Sequence, residues 1–285
     1  MARIRYGPAG LPIDYKGQLE GVPSYLRSLG LDAFEYEAVH GVKVKEEKAR
    51  SLGSQARAFD VKVSIHGPYY INLASPERDV VLRSIERIVE SLKAAEWMGA
   101  EAVVIHTGYY KGNPSKKIAL ERAIAAYKEA LDLLPSWVKT PTIAPETLGK
   151  DSQIGTVEEV VEICRQIERC KPCVDWAHIY ARYEGKFVTK VDDVLKVIEF
   201  IEKELGSASI KPLHTHFSKI EYGKGGEREH KVLAEKGYGP DWSIVCEAYL
   251  SANVEAVVIS ESPLLDKDAL VMKSVCEEIE RSRAK

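Results

Sequence analysis

A single (β/α)8 barrel, or TIM barrel, is the fold class this sequence predicts, and three observations predict it. Eight short apolar runs recur at fairly even intervals. Helical patterns lie between them. The length of 285 residues suits one such barrel, which takes roughly 250 residues. With no linker, low-complexity stretch or second composition regime visible, residues 1–285 read as one domain. A doubly wound open sheet is the structural alternative.

The eight runs are Arg3–Gly7, Ala33–Ala38, Val61–His66, Ala102–His106, Thr142–Glu146, Cys173–His178, Lys211–Phe217 and Ala256–Glu261. Most are too short for helices and rich in Val, Ile, Tyr and Phe, which favours strands. Several are continuously apolar, as strands covered on both faces are. Between them, Val80–Met98 places apolar residues at helical spacing and ends at Gly99, a natural C-cap. Ile118–Leu134 behaves similarly before Pro135. Thr156 and Glu159 form a capping box that opens a helix over Val157–Ile167. Asp192–Leu205 closes at Gly206, and Ala269–Arg281 is the last helix. Such alternation implies parallel strands joined by right-handed crossovers.

Composition is that of an ordinary soluble globular protein, 45% hydrophobic and 29% charged. The net charge of −3 gives no general support to a nucleic-acid partner, although a local basic face on an acidic protein is compatible with one. No apolar stretch reaches the roughly 18 residues of a membrane span, and the first residues lack a signal-peptide apolar segment. A cytoplasmic location is the expectation. The five cysteines are too irregularly spaced for a secreted disulfide framework. Cys170-Lys171-Pro172-Cys173 runs from helix to strand, the reverse of a thioredoxin-like motif, and no second ligand pair accompanies it. It reads as structural, with a local disulfide as the alternative.

Six of the seven histidines, and the best-placed carboxylates, fall at the ends of the runs. In a (β/α)8 barrel the C-terminal strand ends converge on one mouth. His66, His106, Glu146, Asp175, His178, His214, His216 and Glu261 therefore point at a shared space. Bare carboxylates so crowded would repel one another and raise each other's pKa. A divalent cation among imidazoles and carboxylates removes that conflict; the donor set suits Zn²⁺, and its carboxylates also suit Mn²⁺ or Mg²⁺. Each residue has a plainer role: a lone strand-end histidine is usually a satisfied core or surface residue, Glu146 can partner a helix N-cap, Asp175 can cap the following turn, and His178 can belong to the loop. The joint pattern favours a metal centre. His40 has no ligand neighbours.

The motifs His66-Gly67-Pro68-Tyr69-Tyr70-Ile71-Asn72-Leu73, Ile105-His106-Thr107-Gly108, Glu146-Thr147-Leu148-Gly149-Lys150, Val174-Asp175-Trp176-Ala177-His178, Leu213-His214 and Ser260-Glu261-Ser262-Pro263 together resemble endonuclease IV, the zinc-dependent apurinic/apyrimidinic endonucleases of the xylose-isomerase-like barrel group. Each motif is weak alone; their order and spacing, from about Arg5 to Glu278, are specific. The resemblance implies a trinuclear zinc site. Glu146 would bridge two ions, His66 and His106 would complete the first, and Asp175, His214 and Glu261 the second. His178 and His230 would hold a third with a carboxylate. The family has an Asp two residues before that last His, where this chain has Arg228, so Glu227 or Glu229 must substitute, and Glu227 is favoured. His216 stands where the family has a polar non-ligand and is read as supporting a ligand.

The implied reaction is hydrolysis of the DNA phosphodiester 5′ to an abasic site by a metal-bound hydroxide, as in base excision repair, with Glu146 and Glu261 as catalytic carboxylates. The implied partner is double-stranded DNA carrying the lesion, bound by a monomer. Tyr69 and Tyr70 would enter the DNA at the lesion, or else pack at the rim. Lys111, Lys116, Lys117, Lys150, Lys219 and Lys224 are candidate phosphate contacts. Two other functions compete. A single-metal (Mn or Mg) sugar isomerase or epimerase on the same barrel would use Glu146, Asp175, His214 and Glu261, leaving the other imidazoles partly idle. A non-catalytic DNA- or metal-binding protein would use the same ligands without turnover.

Overall fold

In the computed structural model, which describes residues 3–284, the eight apolar runs become eight parallel strands. They are β1 (Ile4–Pro8), β2 (Ala33–Glu37), β3 (Lys62–His66), β4 (Ala102–Ile105), β5 (Thr142–Pro145), β6 (Cys173–Asp175), β7 (Leu213–Phe217) and, after a hairpin of β8 (Lys219–Gly223) and β9 (Gly226–Lys231), β10 (Ala256–Ser260). Pairing runs β2-β3-β4-β5 on one side and β1-β10-β7-β6 on the other. Parallel bridges Ala9–Glu35, Ile143–Cys170 and Glu146–Cys173 join the two halves at both seams. Closure at both seams makes the (β/α)8 barrel and excludes the open sheet. Gly7 sits at one seam, where an added Cβ would lie 1.7 Å from the Ala33 carbonyl oxygen; only glycine lets β1 and β2 approach so closely.

The ring of helices comprises α1 (Val22–Ser28), α2 (Glu46–Ala58), α3 (Arg78–Met98), α4 (Lys116–Asp132), α5 (Val157–Gln166), α6 (Trp176–Arg182), α7 (Val191–Leu205), α8 (Trp242–Ala252) and α9 (Leu265–Arg283). The termini follow the sequence signals. Gly99 caps α3 in the left-handed conformation, φ 63°. Thr156 and Glu159 close both arms of the capping box on α5. The main core lies between strands and helices, with Phe34, Leu52, Ile65, Ile85, Trp176 and Tyr249 fully buried. Inside the barrel, small residues such as Ala102, Val104, Ala144 and Cys173 pack together, with Ala33, Val257 and Ile259 in a second small cluster, which leaves room along the axis for polar groups.

Two details differ from the sequence reading. Cys170 bonds Cys164 of α5, not Cys173. Cys173 sits on β6 as a buried free thiol packed inside the barrel, so the two cysteines of the C-x-x-C pair lie on opposite sides of the barrel wall. A second bridge joins Cys246 and Cys276 between α8 and α9. The β8–β9 hairpin occupies a segment read as loop; Ile220 and Tyr222 pack one face on α6 while most of its other residues are polar or half-exposed, so no sustained apolar alternation announced it.

Candidate metal centre

Strand pleating sends residues i and i+2 to the same face, so Glu35 and Glu37 of β2 and His214 and His216 of β7 all point inward. Register sets their depth. His216 pairs with Asp175 of β6 and Ile259 of β10, near the mouth; His214 pairs with Cys173 and Val257, one layer deeper. Glu37 pairs with His66, the last residue of β3.

Glu146, fully buried just past β5, is the hub. Its Oε2 lies 3.0 Å from His106 Nε2 and 3.4 Å from His66 Nε2, and its Oε1 lies 3.0 Å from His178 Nδ1 and 3.4 Å from His216 Nδ1. Of five donor groups among the described residues, three line the mouth in sequence: His66, His106 and Glu146; Glu146, Asp175, His216 and Glu261; and His178, His230 and Glu261; the other two are His66, His216 and Glu261, and, deeper, Cys173, His214 and His216. In each, the donor atoms lie within 4.8 Å of one another. The mouth cavity above them, about 260 Å³, is lined by His66, His106, His178, His230, Glu227 and Glu261 among others.

The structure places the two histidines of β7 at different depths, and each in a candidate donor group. His216, read as a supporting residue, stands in the second group with its Nδ1 3.2 Å from Glu261 Oε1. His214, read as a ligand there, instead places its Nε2 3.0 Å from Glu35 and lines a separate cavity beside Lys171 and Pro212 at the opposite end of the barrel. Both side chains face the axis, and only the two-residue difference in depth separates them.

The third group carries the carboxylate that the sequence left open. Glu227 Oε2 is 3.3 Å from His178 Nε2 and accepts a hydrogen bond from the Gly149 amide at 2.9 Å. Glu229 is exposed and paired with Lys231, and Arg228 turns outward toward Glu221. In a regular strand Glu227 and Glu229, at i and i+2, would share a face. A register irregularity in the hairpin separates them: Glu229 pairs with Glu221 and Glu227 with Tyr222, and Glu227 turns inward.

Other atoms fix the imidazoles. His66 Nδ1 contacts the Gly67 carbonyl at 2.9 Å, His178 Nδ1 the Thr147 carbonyl at 3.0 Å and His230 Nδ1 the Ser218 hydroxyl at 2.7 Å. His66 and His230 thereby leave Nε2 for the cluster, whereas His178 sets Nδ1 also 3.0 Å from Glu146 Oε1 and Nε2 3.3 Å from Glu227. Asp175 has a double role: its Oδ1 accepts the His178 amide as N-cap of α6, and its buried Oδ2 makes no hydrogen bond. The capping role and the ligand position thus coexist in one side chain.

Sequence reasoning missed Glu35 and Glu37. Their signal was present: two carboxylates at i and i+2 in an otherwise apolar strand, Ala33-Phe34-Glu35-Tyr36-Glu37, both directed inward. Burial by itself would raise the Glu35 carboxyl, but His216 and His214 outweigh it and hold the group well below its ordinary range. Glu37 is pushed up to about 7, chiefly by burial. Burial likewise pushes Asp175 up to about 8. His66 moves the other way from what burial dictates: Glu146 and Glu37 raise it to about 10.

The residues fit divalent cations. Both oxygens of Glu146, Asp175 Oδ2, and both ring nitrogens of His216 are buried without a well-directed hydrogen bond. Buried polar atoms are ordinarily paired, so a cluster of orphans facing one another calls for a shared partner. Oxygen and imidazole donors at strand ends match zinc and the harder divalent ions.

Around the mouth, Tyr69 and Tyr70 are 50% and 62% exposed, and the Tyr69 ring lies 5.5 Å from His66. Lys150 lines the cavity. Lys116 stacks on Tyr110, Lys117 faces Glu121, and Lys219 donates to the Glu235 carbonyl.

Fold and site together define a (β/α)8 barrel with a multi-ligand His/carboxylate centre at its C-terminal mouth. The family model described as "Xylose isomerase-like TIM barrel" matches residues 23–272, and the chain belongs to that family. It is 36% identical over 274 residues to an uncharacterised protein of Methanocaldococcus jannaschii, covering 96% of this chain and 97% of the relative. A probable endonuclease 4 of Sulfurihydrogenibium sp. is 36% identical over 143 residues, 49% of this chain and 50% of the relative. Among solved structures, endonuclease IV from Thermus thermophilus superposes with a TM-score of 0.73 at 20% identity, covering 97% of this chain and 99% of the other. A D-tagatose 3-epimerase-like protein superposes with a TM-score of 0.67 at 18% identity, over 93% and 95%. The resemblance to endonuclease IV read from the motifs therefore recurs in both sequence and fold.

Proposed function

We propose that this protein is a zinc-dependent apurinic/apyrimidinic endonuclease that hydrolyses duplex DNA 5′ to an abasic site, acting as a monomer in the cytoplasm. One observation carries the reading. His66 and His106, and His178 with His230 and Glu227, flank the central group of Glu146, Asp175, His216 and Glu261. A site for one ion needs only the central group; three overlapping groups suit a phosphodiester whose attacking and leaving oxygens both need neutralising. The similarity to proteins named endonuclease 4 supports the same reading.

Bound ions would supply the activated water and the positive charge that the phosphate needs. The chain's own residues do the rest. Glu146 and Glu261, each shared between two of the three groups along the mouth, hold neighbouring groups at fixed separation. Glu261, which lines the mouth cavity, would orient the attacking water and take up its proton. Tyr69 at the rim would stack in the gap left by a missing base, and Lys150 would contact phosphate.

The test is incision of a duplex bearing one tetrahydrofuran abasic analogue by zinc-loaded protein. Absence of cleavage, at salt concentrations where the duplex binds, rejects the nuclease. Glu261→Gln with metal retained and an unchanged rate removes the proposed role of Glu261. One specific observation favours a second reading: Glu146, Asp175, His216 and Glu261 by themselves form a four-ligand site, as a single-metal sugar isomerase or epimerase requires. Metal content decides between them, with one ion for each of the three groups expected for the nuclease and a single Mn²⁺ for the isomerase.

A further inference from the structure

Among the mouth histidines whose ring contacts are described above, His216 is turned the other way. His66 and His230 each give Nδ1 to a carbonyl or hydroxyl oxygen and present Nε2 to the cluster, while His178 sets Nδ1 between the Thr147 carbonyl and Glu146 Oε1 and Nε2 against Glu227. His216 presents Nδ1, 3.4 Å from Glu146 Oε1 and 3.2 Å from Glu261 Oε1. Its Nε2 faces away from the mouth, 2.9 Å from Glu35 Oε1, an ion-pair distance between two buried atoms that have no other partner and are not aligned as a regular hydrogen bond. Its anchor is thus a carboxylate, and that carboxylate is itself held. Glu35 Oε2 accepts from the Ser64 hydroxyl at 2.7 Å and lies 3.0 Å from His214 Nε2. Glu35, Ser64 and His216 are fully or almost fully buried, and His214 nearly so.

We propose that Glu35 is a positioning residue of the metal centre: it holds the proton of His216 on Nε2, so that Nδ1 is the atom offered to the ion shared with Glu146, Asp175 and Glu261, while Ser64 and His214 lock Glu35 in place. This rests on the metal-centre reading above. Four features support it. A carboxylate behind a ligating imidazole is the common device for fixing its tautomer and making the other nitrogen a better donor. The contact is between fully buried groups, where a charge-assisted pair is strongest. The layer of small side chains inside the barrel gives the network its space. The position of His214 also acquires a purpose: too deep for the cluster, it clamps the far side of the carboxylate that orients His216.

The decisive experiment reads the tautomer directly in the wild-type protein. Long-range ¹⁵N–¹H correlation of ¹⁵N-histidine-labelled, zinc-loaded protein assigns which nitrogen of each imidazole carries hydrogen. His216 is expected with hydrogen on Nε2 and metal on Nδ1, the reverse of His66 and His230. Zinc bound to His216 through Nε2 overturns the proposal, as does a thiolate-to-cobalt charge-transfer band in the Co²⁺-substituted protein that Cys173→Ser abolishes, because the inner nitrogen would then itself be a ligand. In chelator competition, Glu35→Gln is expected to weaken one class of zinc site about 10- to 100-fold and leave the others. Ser64→Ala, a milder change that leaves the carboxylate in place, is expected to weaken the same class by less. Wild-type affinity at every site in Glu35→Gln overturns the proposal. Zinc-loaded protein that shows the expected tautomer yet never incises abasic DNA rejects the nuclease and leaves the role of Glu35 standing.

Discussion

Substituting alanine for Gly149 tests how the third ligand group is assembled. Gly149 follows β5 and donates its amide to Glu227 Oε2 across the gap to the β8–β9 hairpin. A Cβ on Gly149 would lie 2.3 Å from that oxygen and 2.9 Å from the Glu227 Cβ. Ordinary contact begins near 3.4 Å, so the carboxylate must withdraw by about 1 Å, and the Cβ contact means the hairpin backbone must move as well. Glu227 Oε2 is already 3.3 Å from His178 Nε2, and both must reach one ion. Ligand sets tolerate only about 0.5 Å of misplacement. Gly149→Ala is therefore expected to weaken one zinc per chain by about 10- to 100-fold, and to cost about 1–3 kcal/mol of stability through overpacking. Zinc per chain is measured by elemental analysis after graded chelation, and stability by denaturant unfolding. Retention of every zinc at wild-type affinity would refute the reasoning that Glu227 is delivered by this close approach.

Glu227→Gln should lower affinity for the same ion, whereas Glu229→Gln should leave metal content unchanged, because Glu229 faces solvent beside Lys231; equal effects in chelator competition would contradict the hairpin register. Burial alone would lower the His66 pKa, but neighbouring carboxylates raise it to about 10 in the metal-free protein, so at pH 8 it is protonated and zinc must displace that proton. Affinity should therefore rise with pH up to about 10, and calorimetry at pH 8 in buffers of different ionisation enthalpy should show proton release that His66→Asn reduces. Removing the ions should lower the thermal midpoint: holding free zinc at about 100 times its Kd stabilises the folded state by about 2.7 kcal/mol. A thermal scan with and without chelator checks this. Lys150→Ala should weaken binding to abasic duplex and reduce the salt slope by about 1, read by fluorescence anisotropy over a salt series.

Much of the barrel was legible because its signals are local. Strands buried on both faces need continuous apolar runs, and helices packed on one face need the 3.6-residue period, so both are written in the chain order of residue types. Caps such as Gly99 and the Thr156–Glu159 box were equally plain. The candidate site was legible to the extent that strand ends carry it: His66, His106, Glu146, Asp175, His178 and Glu261 do converge at the mouth. The β8–β9 hairpin was not legible, since a largely polar ribbon that buries only Ile220 and part of Tyr222 has no sustained apolar period. Glu35 and Glu37 were passed over because they belong to the second strand, whose end carries no histidine ligand, although their i and i+2 spacing announced two inward carboxylates.

The sequence alone therefore determined the alternation that folds into a barrel and the chemical kind of the centre, because periodicity and residue type are properties of the chain itself. Only the tertiary structure decided depth and partnership. Histidines 214 and 216 share a strand face, and nothing local distinguishes them; the register of β7 against β6 puts His216 beside Asp175 and leaves His214 opposite Cys173, against Glu35. The choice of Glu227 over Glu229 likewise depends on a hairpin folding back over Gly149 from 78 residues away. Those distances are set by how strands slide past one another and how far a hairpin reaches, which no stretch of sequence encodes by itself.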